Sequence, residues 1–225
     1  MNHPRIAPHK RYTYGDYLYW PEDERWELID GEAFDMTPAP NVDHQYIVGR
    51  LYRFFDEFLE GKPCHAFVSP FDVRIPKGDE ADEDIDTVVQ PDVIVVCPPG
   101  HLDQRGLRGA PDLAIEVLSP STASKDQIKK RRLYERCGVK EYWVVQPADR
   151  VVMVTRRAGP HGGFGRTEFY GDTDRIDVAL FPGLTIDLAR VFPPAPQPAP
   201  APLSAAPSEA RKPPPPAARS RRRKK

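Results

Sequence analysis

The chain contains no run of about 18 apolar residues, so it offers no membrane-spanning helix. Met1 to Lys10 carries charge and no apolar segment follows, so no secretory signal is expected. Cysteine is scarce. Cys64, Cys97 and Cys137 lie far apart, make no CxxC pair and are odd in number, which predicts reduced thiols in a cytoplasm and excludes a zinc framework. No G-x-S-x-G surrounds Ser119-Pro120-Ser121-Thr122, so no nucleophile elbow is present. Gly162-Gly163-Phe164-Gly165 has neither dinucleotide-binding spacing nor a P-loop Lys-Ser/Thr, and reads as a hairpin loop. The acidic run from Gly78 to Asp86 lacks the glycine-turned pattern of a calcium loop and reads as a solvated loop. There is no internal repeat.

What is present suits one domain and a tail. The 225 residues are 40% hydrophobic, enough for a substantial core. From Pro193 the composition changes to proline, alanine and basic residues, which cannot build a core; residues 193–225 are expected to be a disordered, semi-stiff linker ending in Arg221 to Lys225. The formal charge of −1 conceals a split. Eight of 32 basic and one of 33 acidic residues lie in 193–225, leaving 24 bases against 32 acids in 1–192. The body thus carries −8 and the tail +7, a basic tether suited to phosphate attraction on a body that does not supply it.

Patterning predicts an α/β body with a central mixed sheet flanked by helices. A short helix is expected over Thr13–Trp20, then strands Trp26–Asp30 and Glu32–Met36 around an Asp30-Gly31 hairpin turn. Asn41 or Asp43 opens a helix to Glu60, with Ile47, Leu51, Phe54, Phe55 and Phe58 at helical spacing. Strands follow at Cys64–Val68 and Asp72–Ile75. Two continuous apolar runs, Asp92–Cys97 and Asp112–Leu118, predict strands buried on both faces. Ser124 with Gln127 resembles a capping box opening a helix to Cys137, stopped by Gly138. Strands Glu141–Val145, Val151–Arg156, Gly165–Tyr170 and Arg175–Val178 complete the body.

Three charged residues stand where patterning would not put them. Glu116 interrupts the apolar strand LAIEVL, and a buried carboxylate costs several kcal/mol unless paired or ligating a metal. Asp92 opens the preceding buried strand. The about 15-residue connection between the two strands allows antiparallel pairing, which sets the start of the first beside the end of the second. Two carboxylates brought together this way suit Mg²⁺ or Mn²⁺, which prefer oxygen ligands. Lys130 falls at about 240° from Ser124 on the helical wheel, among Leu133, Tyr134 and Cys137, whereas Lys129 at about 140° lies at the edge of that face. A lysine there snorkels or meets an anion. Asp126 could steady it as an i,i+4 pair.

The block QPDVIVV…GAPDLAIEVLSPSTASKDQIKKRRLYERCGVKEYWVVQP resembles the Uma-type (Uma-two) family of restriction endonucleases, in the PD-(D/E)XK nuclease superfamily. WELIDGEAFDMTPAPNVDHQ and FPGLTIDLARVF fit the same family, so the resemblance covers residues 10–192. It implies a restriction-endonuclease-like fold. Pro91-Asp92 looks like the PD element and Glu116 like the acid of (D/E)XK. Leu118 stands where that motif has lysine, and Lys130, four before Tyr134, occupies the place to which the family moves it. Glu27 matches the family's upstream acid and His44 its histidine.

The expected function is a metal-dependent endonuclease acting on DNA, with Asp92, Glu116 and the Val117 carbonyl holding Mg²⁺ or Mn²⁺. Lys130 would be catalytic, Glu27 would complete the site, and His44 would touch substrate. Nucleic acid and a second copy of the chain in a homodimer are the expected partners, and no membrane. A non-catalytic module with a binding or regulatory role, and a small-molecule hydrolase using the same metal site, are the alternatives.

Overall fold

The computed structural model describes residues 10–21, 23–36, 39–119, 124–159 and 162–194, with the side chains of 124–127 left aside. The chain divides into units 1–193 and 194–225. The tail from residue 195, the Ser119–Thr122 turn beyond Ser119, the Ser124/Gln127 cap and the Asp126–Lys130 pair lie outside the described residues or side chains.

The elements run in chain order as helix α1 (Tyr14–Tyr17), strands β1 (Trp26–Ile29) and β2 (Glu32–Asp35), helix α2 (Val42–Leu59), strands β3 (His65–Val68), β4 (Val73–Arg74), β5 (Val88–Val89), β6 (Val93–Val96), β7 (Leu102–Asp103), β8 (Gly106–Arg108) and β9 (Leu113–Val117), helix α3 (Ser124–Cys137), and strands β10 (Glu141–Gln146), β11 (Val151–Arg157), β12 (Phe164–Gly171), β13 (Arg175–Asp177) and β14 (Thr185–Asp187). Local chemistry explains the ends. Asp30 and Gly31 turn the β1–β2 hairpin with φ of 50° and 77°, as a two-residue hairpin turn requires. Asn41 caps α2 by accepting the His44 N–H at 2.9 Å.

Two six-stranded sheets result. One has the order β2-β1-β5-β4-β8-β7, the other β12-β11-β10-β9-β6-β3, and β13 pairs with β14 separately. In the second sheet β6 and β9 are antiparallel, with Val93 opposite Ile115, while β9 and β10 are parallel. Antiparallel pairing of the two apolar runs is as the sequence predicts. This is a mixed α+β, restriction-endonuclease-like architecture.

Strand alternation sorts the core. Leu113, Ile115 and Val117 pack with Ile47, Leu51 and Phe55 of α2. Ala114 packs on the opposite face with Leu133 and Tyr134 of α3. Glu116, in register with Ala114, turns to the α3 face.

The structure corrects several expectations. The connection after Cys97 contains two short strands that the patterning does not predict, β7 and β8, and β8 adds beside β4 in parallel. The strand at Asp72–Ile75 contracts to Val73–Arg74, and β5 and β14 are additional. Cys64 and Cys97 form a disulfide with Cα atoms 4.5 Å apart, leaving Cys137 free, so the reduced-thiol expectation fails for two of the three cysteines. The cause is register: His65 pairs with Val96, which sets Cys64 opposite Cys97 one step further out. The acidic loop is not merely solvated. Asp82 pairs with Arg74 and Arg108, and Asp86 with Lys77. Among the described residues no helix is long and apolar enough to cross a membrane.

Candidate functional site

The segment from Val88 to Val96 passes from one sheet to the other. β5 belongs to the first and β6 to the second, and Gln90-Pro91-Asp92 is the corner between them. Pro91 suits a corner, having no N–H to leave unpaired. The candidate site is built at this corner from both sheets and both long helices.

β1 contributes Glu27, only 4% exposed. Its Oε1 accepts the Gln90 main-chain N–H at 2.8 Å and the Lys130 ammonium at 2.8 Å. β9 contributes Glu116, whose Oε1 accepts Lys130 Nζ at 3.0 Å and the Tyr134 hydroxyl at 2.7 Å. Asp92 Oδ2 accepts the Val117 N–H at 2.8 Å, tying the start of β6 to the end of β9. His44, from the first turn of α2, sets Nε2 3.2 Å from the same Asp92 oxygen. Its Nδ1 is buried without a partner among the described residues.

The structure therefore brings Glu27, Asp92, Glu116, Lys130 and His44 to one corner. Val117 joins through its N–H, an engagement that no motif in the sequence announces. Lys129 points elsewhere, to Glu32 at 2.7 Å, and is 40% exposed against 12% for Lys130. Tyr134 is readable from the sequence only as an apolar-face residue; its i+4 spacing from Lys130 is the signal that it reaches the same carboxylate.

Electrostatics here are dominated by burial. Burial pushes the Glu116 carboxyl up, Lys130 pulls it down, and the charges of Glu27 and Asp92 push it up again, to about 7. Burial alone would lower Lys130, but Glu116 and Glu27 more than offset it and hold its pKa above the ordinary lysine range, so it stays charged. Burial and the adjacent Glu116 charge also raise Tyr134, keeping its hydroxyl a donor.

Glu27 and Glu116 thus share Lys130, while Asp92 faces His44 and the Val117 N–H. Among the described residues no three His, Cys, Asp or Glu side chains converge as a ready-made metal cage. The donor chemistry nonetheless fits a hard divalent cation, because the oxygens are carboxylate and the acidic charge exceeds what Lys130 balances.

Residues 14–189 match the model of the Uma2 family, described as "Putative restriction endonuclease". The chain belongs to this family. It is 31% identical over 134 residues to an uncharacterized protein, slr1290, of Synechocystis sp. (strain ATCC 27184 / PCC 6803 / Kazusa), a match covering 59% of this chain and 66% of that one, just under two thirds. Its fold is shared with "a putative nuclease belonging to DUF820" from Anabaena variabilis ATCC 29413, with TM-score 0.63 and 20% identity over 80% of this chain and 97% of that one.

Proposed function

We propose that this Uma2 chain hydrolyses phosphodiester bonds in DNA with Mg²⁺, or Mn²⁺, as cofactor. The observation that carries the reading is the buried Lys130 held between Glu27 and Glu116 at 2.8 and 3.0 Å, beside Asp92 at the sheet corner. Lys130 balances one of the two carboxylates it touches, and a divalent cation would neutralise the other in place of the proton that burial favours on Glu116.

Asp92 and Glu116, with the Val117 carbonyl, would hold the ion. Bound there, it would acidify a water and neutralise charge on the phosphate. The remaining roles belong to the chain itself. Lysine has three N–H donors and two are committed to Glu27 and Glu116; the third, which has no partner among the described residues, would meet a phosphate oxygen or the attacking water. The two carboxylates fix Lys130 in place, and a preorganised charge needs no reorganisation as the transition state forms. The Val117 N–H and His44 orient Asp92. Tyr134 orients Glu116.

The test is a plasmid-nicking assay with and without Mg²⁺, with Glu116→Ala beside the unaltered protein. Metal-dependent nicking lost in the variant supports the reading. Absence of nicking while DNA is still bound would overturn it in favour of a non-catalytic module.

A further inference from the structure

A cavity of about 490 Å³ opens on the other side of Gln90, within the size range of small-molecule sites. Its walls include Tyr14, Tyr17 and Phe71. The two tyrosine rings stack with centroids 5.6 Å apart, and Phe71 is backed by Phe67 at 4.5 Å. The polar side chains lining it include Asp72 and Gln90, with Asp103, Gln104 and Arg105 also contributing.

The orientation of those groups is fixed by a chain of hydrogen bonds. Arg25 Nη2 donates to Gln90 Oε1 at 2.9 Å, and a guanidinium only donates, so the Gln90 carboxamide oxygen must face it. The Gln90 amide nitrogen then faces Asp72, donating to Oδ1 at 2.9 Å. Tyr17 adds its hydroxyl to the same Oδ1 at 3.1 Å. Asp72 Oδ1 is therefore doubly held, while Oδ2 accepts no hydrogen bond among the described residues. Among the described residues the Arg105 side chain forms an ion pair only with Glu83, at 3.7 Å, and it is half exposed.

Gln90 also links this cavity to the candidate site. Its main-chain N–H holds Glu27 at 2.8 Å while its side chain holds Asp72, and Asp92 follows two residues on. A nucleic-acid strand at the corner would have a base within reach of the cavity.

We propose that this cavity is a subsite for one base of the bound strand, and that it selects a base carrying an exocyclic amino group. The inference rests on the nucleic-acid reading above. Of the rings, Tyr14 is buried, but the part-buried Tyr17 and Phe71 offer a stacking surface that any base can use. An ionised carboxylate is acceptor-only, so Asp72 Oδ2 rewards an N–H₂ group and gains nothing from thymine O4. Arg105 supplies positive charge for a flanking phosphate.

The test uses Lys130→Ala protein with divalent cations chelated, in which hydrolysis is slowed by about 10²-fold or more, and measures equilibrium binding of single-stranded oligonucleotides. The strands are all-deoxyadenosine and all-2′-deoxynebularine, the latter being adenine without its amino group. Adenine strands should bind tighter by about tenfold, the scale of one good base contact. Asp72→Asn should erase the ratio. Its carbonyl must face the Gln90 and Tyr17 donors, so its NH₂ would replace Oδ2 and repel an amine. The ratio is read rather than the affinity, because removing an acid strengthens all polyanion binding. Equal binding of the two strands overturns the subsite alone, as does a preference that survives Asp72→Asn. If that variant does not fold, the adenine–nebularine comparison with Asp72 intact decides by itself. Failure to bind either single strand while plasmid DNA is still bound overturns the subsite alone, and failure to bind both overturns the nucleic-acid reading and the subsite with it.

Discussion

Lys130 Nζ stands 3.0 Å from Glu116 Oε1 although the two residues lie on different elements, α3 and β9. In the superfamily motif the acid and the lysine share one strand, two residues apart, and that lysine position here is Leu118. The α3 lysine reaches the same carboxylate from the helix packed over the strand. The function of the motif can therefore be assessed from this contact rather than from the spacing.

Lys130→Ala should reduce hydrolysis by about 10²-fold or more, the scale for losing a preorganised electrostatic group. Lys129→Ala should be nearly silent, since Lys129 pairs with exposed Glu32 at the surface. Specific activity per folded protein is the measurement. Equal losses in the two variants would show that the contact has no part in turnover.

Glu116 makes stability depend on pH. Its folded-state pKa, about 7, lies above the ordinary glutamate value, so the folded protein holds this proton more tightly than the unfolded chain. That contribution is fully present below about pH 4.5 and is lost as pH rises through about 7. Metal-free protein should lose a few kcal/mol from this group across that window, at about 1.4 kcal/mol per pH unit. Glu116→Gln should flatten the dependence. Urea titrations at several pH values measure it, and an identical slope in the variant would refute it.

Asp92→Ala should abolish Mg²⁺ binding while the fold survives. The side chain is at a strand start and half-buried, and its loss takes a partner from both the Val117 N–H and the buried His44 Nε2, at a typical cost of about 1–3 kcal/mol each. Calorimetry should detect Mg²⁺ in the unaltered protein and none in the variant. Unchanged affinity would remove Asp92 from the metal site.

Deleting 193–225 should leave turnover at saturating substrate intact and weaken DNA binding at low salt. The tail carries +7 against −8 for the body. For each phosphate that the tail neutralises, its removal should make the slope of log affinity against log salt shallower by about 0.9. The same slope with and without the tail would show that Arg221 to Lys225 do not touch the nucleic acid.

Much of the site is legible in the sequence because it violates pattern. Glu116 breaks an apolar run, and Lys130 breaks an apolar helical face, so each advertises itself locally. Glu27 is legible only through the family resemblance, since nothing within WELIDGE shows that β1 faces α3. The Cys64–Cys97 pair depends on the register of β3 against β6, which no spacing within either segment reveals. The same holds for Asp72 and Gln90, whose partners Tyr17 and Arg25 come from the start of the chain. β7 and β8 are short and polar, and they become strands because β4 offers an edge to pair with.

Because Gln90-Pro91-Asp92 is the corner between two sheets, the site is a seam rather than a pocket in either one. Glu27 is anchored to one sheet, Glu116 to the other, and Lys130 is the stitch between them. A small splaying of the sheets would separate these groups while leaving every strand paired. Activity should therefore fail at a lower temperature than the fold, and whatever ion or strand bridges the seam should narrow that gap by binding only the closed form.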